Sequence, residues 1–276
     1  MSDTKVTLQR GGVELIPRVE PLWNLLFDHH LSIGAAGLAT ISRGQSWPLR
    51  AAHYSRLFAE QPRTSIWLAT QGASVLGYAL SFVCSFEERQ AAVLETLSVD
   101  PSARGSGVGS LLMDAVDREA LDEGNAVGIV DVMAGNPRAR ELYLRRGYSP
   151  HSETWMRSVS GDVQPQTSDA SRLSAFVAEA EALGFVLELS PGPDDTWVSA
   201  EIIADLCPAK VDGSTDCGDP RPEQLDALFA ELAAAGFWTV RLEIAAAPSA
   251  TELRAMLGDR GFKLSTERLV RRSPRS

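Results

Sequence analysis

The stretch VDPSARGSGVGSLLMDAV, residues 99–116, constrains the fold of this chain more than any other. It reads as a strand end, a turn with glycines at 105, 107 and 109, and an amphipathic helix. Glycine permits backbone angles that a Cβ forbids, and it lets consecutive N–H groups come close to a ligand. The first turn of the following helix adds unpaired N–H groups and the positive end of the helix dipole. Together these parts make an anion site suited to a diphosphate, to which Arg104 adds charge and Ser106 and Ser110 add hydroxyls. Two familiar cradles are excluded by spacing. The third glycine of Gly105-x-Gly107-x-Gly109 comes one place early for a dinucleotide fingerprint, and no Gly-Lys-Ser/Thr follows for a P-loop. Taken alone, the turn leaves a phosphate site and a flexible connection both open.

Around it the chain alternates between strand and helix patterns. VTLQRGG reads as a first strand, and residues 17–32 and 47–61 as helices with apolar residues at helical spacing. Strands follow at 64–72, 74–86 and 91–100, the first two joined by a glycine turn that suits a hairpin. After the glycine-turn helix, closed by Gly124, come a strand at 126–134, a helix in NPRARELYLRRGY and a strand near 152–159. That last helix is well punctuated: Asn136 caps it, Pro137 takes its first position and Gly147 ends it.

The polar stretch VSGDVQPQTSDAS, 159–171, divides the chain into a first domain at 1–160, a linker at 161–170 and a second domain at 171–276. The second part repeats landmarks of the first. At an offset of 112, Gly124 meets Gly236 and Asp131 meets Glu243; after a short insertion, GYSPHSETWMR (147–157) lies on GFKLSTERLVR (261–271).

The order LETLSVDPSARGSGVGSLLMDAV, a strand, then NPRARELYLRRGY resembles the GNAT superfamily of acyl-coenzyme A-dependent N-acyltransferases, over residues 4–158. Its R/Q-x-x-G-x-G/A signature falls on Arg104, Gly107 and Gly109, and its Asn, small residue, Tyr, Gly-aromatic signature on Asn136, Ala139, Tyr143, Gly147 and Tyr148. The resemblance implies a mixed, mostly antiparallel α/β sheet, splayed and flanked by helices. It implies transfer of an acetyl group from acetyl-coenzyme A to a primary amine of a small molecule or peptide, by direct attack in a ternary complex. The pyrophosphate would lie on the segment Arg104, Gly105, Ser106, Gly107, Val108, Gly109 and Ser110. The pantetheine arm would pair with Leu97, Ser98 and Val99, and Asn136, Arg138 and Tyr143 would complete the coenzyme site. Tyr143 would protonate the departing thiolate. A non-catalytic coenzyme A sensor and a protein-modifying acyltransferase are the alternatives.

The attacking amine must lose a proton, and two strand carboxylates with apolar neighbours, Glu95 and then Asp131, are the candidate bases. Burial of that kind raises a carboxyl pKa. The acceptor pocket of the family falls on the first two helices and a hairpin. These hold His29, His30, Trp47, Tyr54 and Glu87, with Asp28, His53 and Phe86 in the same stretches. In the second half the glycine turn aligns with DCGDPR, 216–221, where two carboxylates would repel a diphosphate, and Tyr143 aligns with Leu257. This predicts a degenerate, shortened GNAT-like domain; a ferredoxin-like α+β domain is the alternative.

Bulk properties narrow the rest. The net charge is −10, with 15 Lys and Arg against 17 Asp and Glu over residues 1–160 and 11 against 19 thereafter, so neither half offers the basic surface that nucleic acid needs. No apolar run approaches the roughly 20 residues of a membrane span, and the N-terminus shows no signal-peptide core. Three cysteines and four histidines show no metal-ligand spacing, and a cytoplasmic monomer or homodimer without a metal is expected.

Overall fold

The computed structural model describes residues 5–34, 42–61, 63–125, 127–158, 186–190, 201–205, 226 and 239–272. The first strand and two helices are β1 (Thr7–Gly11), α1 (Ile16–Ile33) and α2 (Arg43–Glu60). The antiparallel strands β2 (Ser65–Gln71), β3 (Ser74–Phe86) and β4 (Arg89–Val99) follow, then α3 (Val108–Asp122), β5 (Val127–Met133), α4 (Pro137–Arg145) and β6 (Ser149–Ser158). Beyond the linker lie β7 (Val186–Ser190), β8 (Glu201–Asp205), β9 (Thr239–Ala245), α5 (Thr251–Asp259) and β10 (Lys263–Arg272). The linker at 161–170 and the segment 216–221 lie outside the described residues.

Local chemistry sets most of these limits. Helix α2 starts a turn earlier than its apolar spacing predicts, because the Gln45 side chain accepts from the Ser42 backbone N–H (3.4 Å) and hydroxyl (2.7 Å). At the start of α4, Asn136 Oδ1 accepts from the Ala139 N–H at 3.1 Å, and Pro137 occupies the first helical turn. Gly124 and Gly147 take the left-handed angles expected of glycines that end helices.

Among the described residues ten strands form one sheet in the order β1-β2-β3-β4-β5-β10-β6-β9-β8-β7, antiparallel except at β4–β5 and β8–β9. Helices α3 and α4 cover one face, where Leu112, Met113, Val116 and Tyr143 pack against Leu94, Val130, Val132 and Leu269. Helices α1 and α2 cover the other, with Val19, Leu22, Tyr54 and Leu57 against Ile66, Leu68, Tyr78 and Leu80.

The sequence predicts a division near residue 160, but the sheet joins strands from both sides of that point. Strand β10, from the end of the chain, lies between β5 and β6 and pairs with both. In return β6 pairs with β9, from Ser152↔Ala245 to Ser158↔Thr239. The shifts of 112 (β5 to β9) and 114 (β6 to β10) convert the β5–β10 register, Thr266↔Met133 to Arg272↔Val127, into that of β6–β9. Strands β6 and β10, which carry the matching segments GYSPHSETWMR and GFKLSTERLVR, are therefore neighbours, each paired with the strand that precedes the other.

Ion pairs follow the same exchange. Arg140 of α4 holds Glu267 of β10 at 2.8 Å, and Arg254 of α5 holds Glu153 of β6 with two bonds of 2.9 Å. Glu153 and Glu267 face each other in the β6–β10 register, so each arginine neutralises one of two opposed carboxylates. Arg254→Met should leave Glu153, only 13% exposed, beside Glu267 without its cation. We expect a loss of about 1–3 kcal/mol, measured as a lower urea midpoint at unchanged slope.

Candidate functional site

The site begins where β4 and β5 part. Their parallel pairing runs only from Ala91↔Val127 to Leu94↔Val130. Glu95 is the extra residue of a bulge in β4, since Leu80 pairs with Thr96 while Ser81 pairs with Leu94. Past it β4 follows β3 to Val99↔Gly77, and β5 follows β10 to Met133↔Thr266, so the edges of 95–99 and 131–133 that face each other have no strand partner among the described residues. The Asp100 N–H turns to β3, bonding Leu76 O at 2.8 Å. Strand alternation then turns the N–H and C=O groups of Leu97 and Val99 to the open edge, and those of Ser98 to β3. Gly77 permits the approach of α3 here: a Cβ on it would lie 2.9 Å from Ser98 O and 3.1 Å from Leu112 and Val108.

At the end of β4 lies the glycine turn. Gly105 and Gly107 have φ of +84° and +88°, angles that favour glycine, and Gly107 is the N-cap of α3. Two amides of the turn are used internally, Arg104 N–H on Pro101 O and Ser106 N–H on Ala103 O, and the Ser106 hydroxyl also donates to Ala103 O. The N–H groups of Gly105, Gly107, Val108, Gly109 and Ser110 have no acceptor among the described residues, the first intrahelical bond being Leu111 N–H to Gly107 O. Five unpaired donors at the positive end of a helix fit a diphosphate. Five of the seven amides in the run from Arg104 to Ser110 that the sequence points to are therefore unpaired among the described residues.

Tyr143 lies in the core beneath α3, 6% exposed, with its ring edge-on to Tyr148 at 5.9 Å. Burial, reinforced by Tyr148, pushes its pKa up, so the hydroxyl stays protonated through the working pH range. It makes no hydrogen bond with a described residue. Asn136 spends its carbonyl oxygen on the α4 cap, and Arg138 is exposed on the first turn of α4.

The opposite face of the opening carries Glu95. Its Oε1 accepts from Arg50 Nη1 at 2.7 Å and His53 Nε2 at 2.9 Å, both from α2. Arg50 lies 4.1 Å over the Trp23 ring, which is anchored by its own bond to Ser46 Oγ at 2.8 Å. Burial alone would raise the Glu95 pKa, but the His53 hydrogen bond and the Arg50 charge outweigh it and hold the carboxyl below its usual range. The sequence-based expectation of a raised pKa is therefore corrected: its apolar strand neighbours do not reveal the Arg50 and His53 partners that α2 delivers. Asp131, one strand away, is bound by Arg268 of β10 through two bonds of 2.9 Å, and Arg268 also reaches Glu243 at 3.3 Å. That carboxylate is occupied by the second half of the chain.

Residues 36–148 match the family model described as the acetyltransferase (GNAT) family. Over this stretch the chain is similar to GNAT acetyltransferases. No curated protein matches the chain significantly. Among solved structures, the chain is similar to a GCN5-related glucosamine N-acetyltransferase region of a fungal multi-domain GH3 β-N-acetylglucosaminidase. That match has 14% identity and a TM-score of 0.58, over 98% of this chain and 38% of the other, a likeness of fold that takes in both halves. A GCN5-related N-acetyltransferase from Ralstonia eutropha gives 20% identity and a TM-score of 0.43, over 53% of this chain and 94% of that one. The PaiA N-acetyltransferase from Thermoplasma acidophilum, in complex with coenzyme A, gives 12%, 0.43, 53% and 91% respectively.

Two of the acceptor residues expected in the GNAT domain are placed elsewhere. Tyr54 is fully buried, its hydroxyl bonded to Thr96 Oγ1 at 2.7 Å and Tyr78 at 3.1 Å, so it is a core residue. Glu87 sits on the β3–β4 turn, at the end of β4 away from the opening, and is held by Arg272 at 2.9 Å. Trp47 packs half-buried on the α1–α2 core, and the rings of His29 and His30 lie 6.2 Å apart near the end of α1. Trp23, which holds Arg50 in the Glu95 cluster, carries no local signature; the i, i+3 spacing of Arg50 and His53 on a helix is the signal that points to that pair. Among the described residues no group of three His, Cys, Asp or Glu side chains could hold a metal, and no helix is long and apolar enough to cross a membrane.

His30 reports on this face. Burial, with the nearby His29 and Arg50 charges, lowers its pKa from 6.5 to about 4. Its folded form thus resists a proton that the unfolded chain accepts, and stability should fall as pH drops from about 6.5 to about 4. In His30→Gln the difference between unfolding free energies at pH 7 and pH 4.5 should be smaller than in the wild type, as read by urea titration.

Proposed function

We propose that the chain transfers an acetyl group from acetyl-coenzyme A to a primary amine of a small molecule or peptide, by direct attack in a ternary complex. One observation carries this reading: the unpaired edge of β4 leads directly to a turn with five unpaired amides. The coenzyme supplies an activated acetyl thioester. The amides of Gly105, Gly107, Val108, Gly109 and Ser110 hold its diphosphate, with Arg104 and Arg138 as nearby cations. Leu97 and Val99 pair with the pantetheine arm as a neighbouring strand would, and the Val99 N–H polarises the acetyl carbonyl. Tyr143, kept protonated by burial, donates its proton to the departing sulfur.

The second half, in this reading, is a degenerate copy of the first that has kept its sheet strands and lost its chemistry. Leu257 and Phe262 stand at the positions of Tyr143 and Tyr148, and the register of β6 and β9 repeats that of β10 and β5. What this half contributes is β10, whose Arg268 walls the acceptor side at Asp131.

A panel of primary amines, assayed for free thiol release from acetyl-coenzyme A, tests the activity. At least one amine should give turnover, and calorimetry should show acetyl-coenzyme A binding. Tight binding with no turnover from any amine would favour the sensor. Gly107→Ala should weaken coenzyme binding about 10-fold or more, because an L-residue at its positive φ distorts the cradle. Tyr143→Phe should lower kcat by about 10²-fold and change coenzyme affinity little, since it removes the proton donor alone.

A further inference from the structure

Glu95 occupies the bulge where β4 leaves β5, and one of its oxygens already accepts from both Arg50 and His53. Arg50 is fixed on the Trp23 ring and is always charged, which leaves the carboxylate a poor acceptor for an ammonium proton. His53 differs. Its side chain is 34% exposed, so the ring meets both the Glu95 carboxylate and solvent, and imidazole is the side chain suited to trading protons near neutral pH. The other charged or titratable groups around it are Arg50 and Tyr54 on α2, with His30 on α1 coupled through Arg50.

We infer that His53 receives the proton shed by the acceptor ammonium, and that Glu95 is its positioning partner. This rests on the acetyltransferase reading above. An N–H bond of the ammonium breaks, and the proton bonds to an imidazole nitrogen, directly or through one water. The Glu95 carboxylate balances the imidazolium charge. The freed electron pair on nitrogen forms the amide bond while the thioester C–S bond breaks, and Tyr143 protonates the sulfur. The nitrogen's second departing proton replaces the one that Tyr143 gave up, and His53 releases its own to solvent.

The test uses the full chain and the amine that gives most turnover in the panel. His53→Ala should lower kcat/KM by about 10²-fold and flatten the acidic limb of its pH profile, with acetyl-coenzyme A affinity unchanged. Added imidazole should restore part of the rate. His53→Gln, which keeps a donor to Glu95, should lose the same limb and serves where the alanine variant is unstable. Glu95→Gln should be slower yet keep the limb. The inference is overturned if either His53 variant keeps the wild-type profile, or if Glu95→Gln alone loses the limb. The pair can also be read without an acceptor, by NMR. A protected His53 ring N–H should be present in the wild type and lost in Glu95→Gln, and its absence from the wild type overturns the inference. If that signal is present but no amine is turned over, the proposed activity fails and the proton transfer with it.

Discussion

A β-strand can leave one neighbour only if it keeps another, and the site depends on that constraint. Beyond Leu94 and Val130 the strands β4 and β5 separate, and each would expose a full row of backbone donors and acceptors if it had no second partner. Strand β4 keeps β3, its hairpin neighbour. Strand β5 keeps β10, which comes from the far end of the chain. The opening that presents Leu97 and Val99 therefore relies on residues 263–272, and the second half is a structural part of the site.

The same strand sets the electrostatics of the opening. Arg268 occupies Asp131 and reaches Glu243, while Arg50 and His53 occupy Glu95 from the other side. Glu95 and Asp131 are thus each answered by an arginine from an element remote in sequence. The faces divide the work. The face under α3 and α4 carries the unpaired amides and the buried Tyr143, and the face under α1 and α2 carries Glu95 with Arg50 and His53. A ligand threading between the strands would meet both.

The legibility of these parts in the sequence follows their range. The glycine turn, the Asn136–Pro137 helix start and the Gly124 and Gly147 helix ends were readable because each depends on residues a few places apart. Even there, the sequence does not distinguish the Arg104 and Ser106 amides, spent inside the turn, from the five that stay unpaired. Tyr54 and Glu87 show the opposite case. Their residue types suit an acceptor pocket, but α2 packing buries the first against Thr96 and Tyr78, and the β3–β4 turn carries the second to Arg272.

By itself the sequence determined the order of elements in the first part, the glycine turn, the second motif around Tyr143 and the likeness of 147–157 to 261–271. Those features are local or periodic, fixed by backbone sterics, helix capping and apolar spacing. Only the tertiary structure decided that β10 lies between β5 and β6 while β6 pairs with β9, and that Glu95 is held by Arg50 and His53. Strand pairing and ion pairing join residues far apart in the chain, and they are fixed by which surfaces meet when the sheet closes.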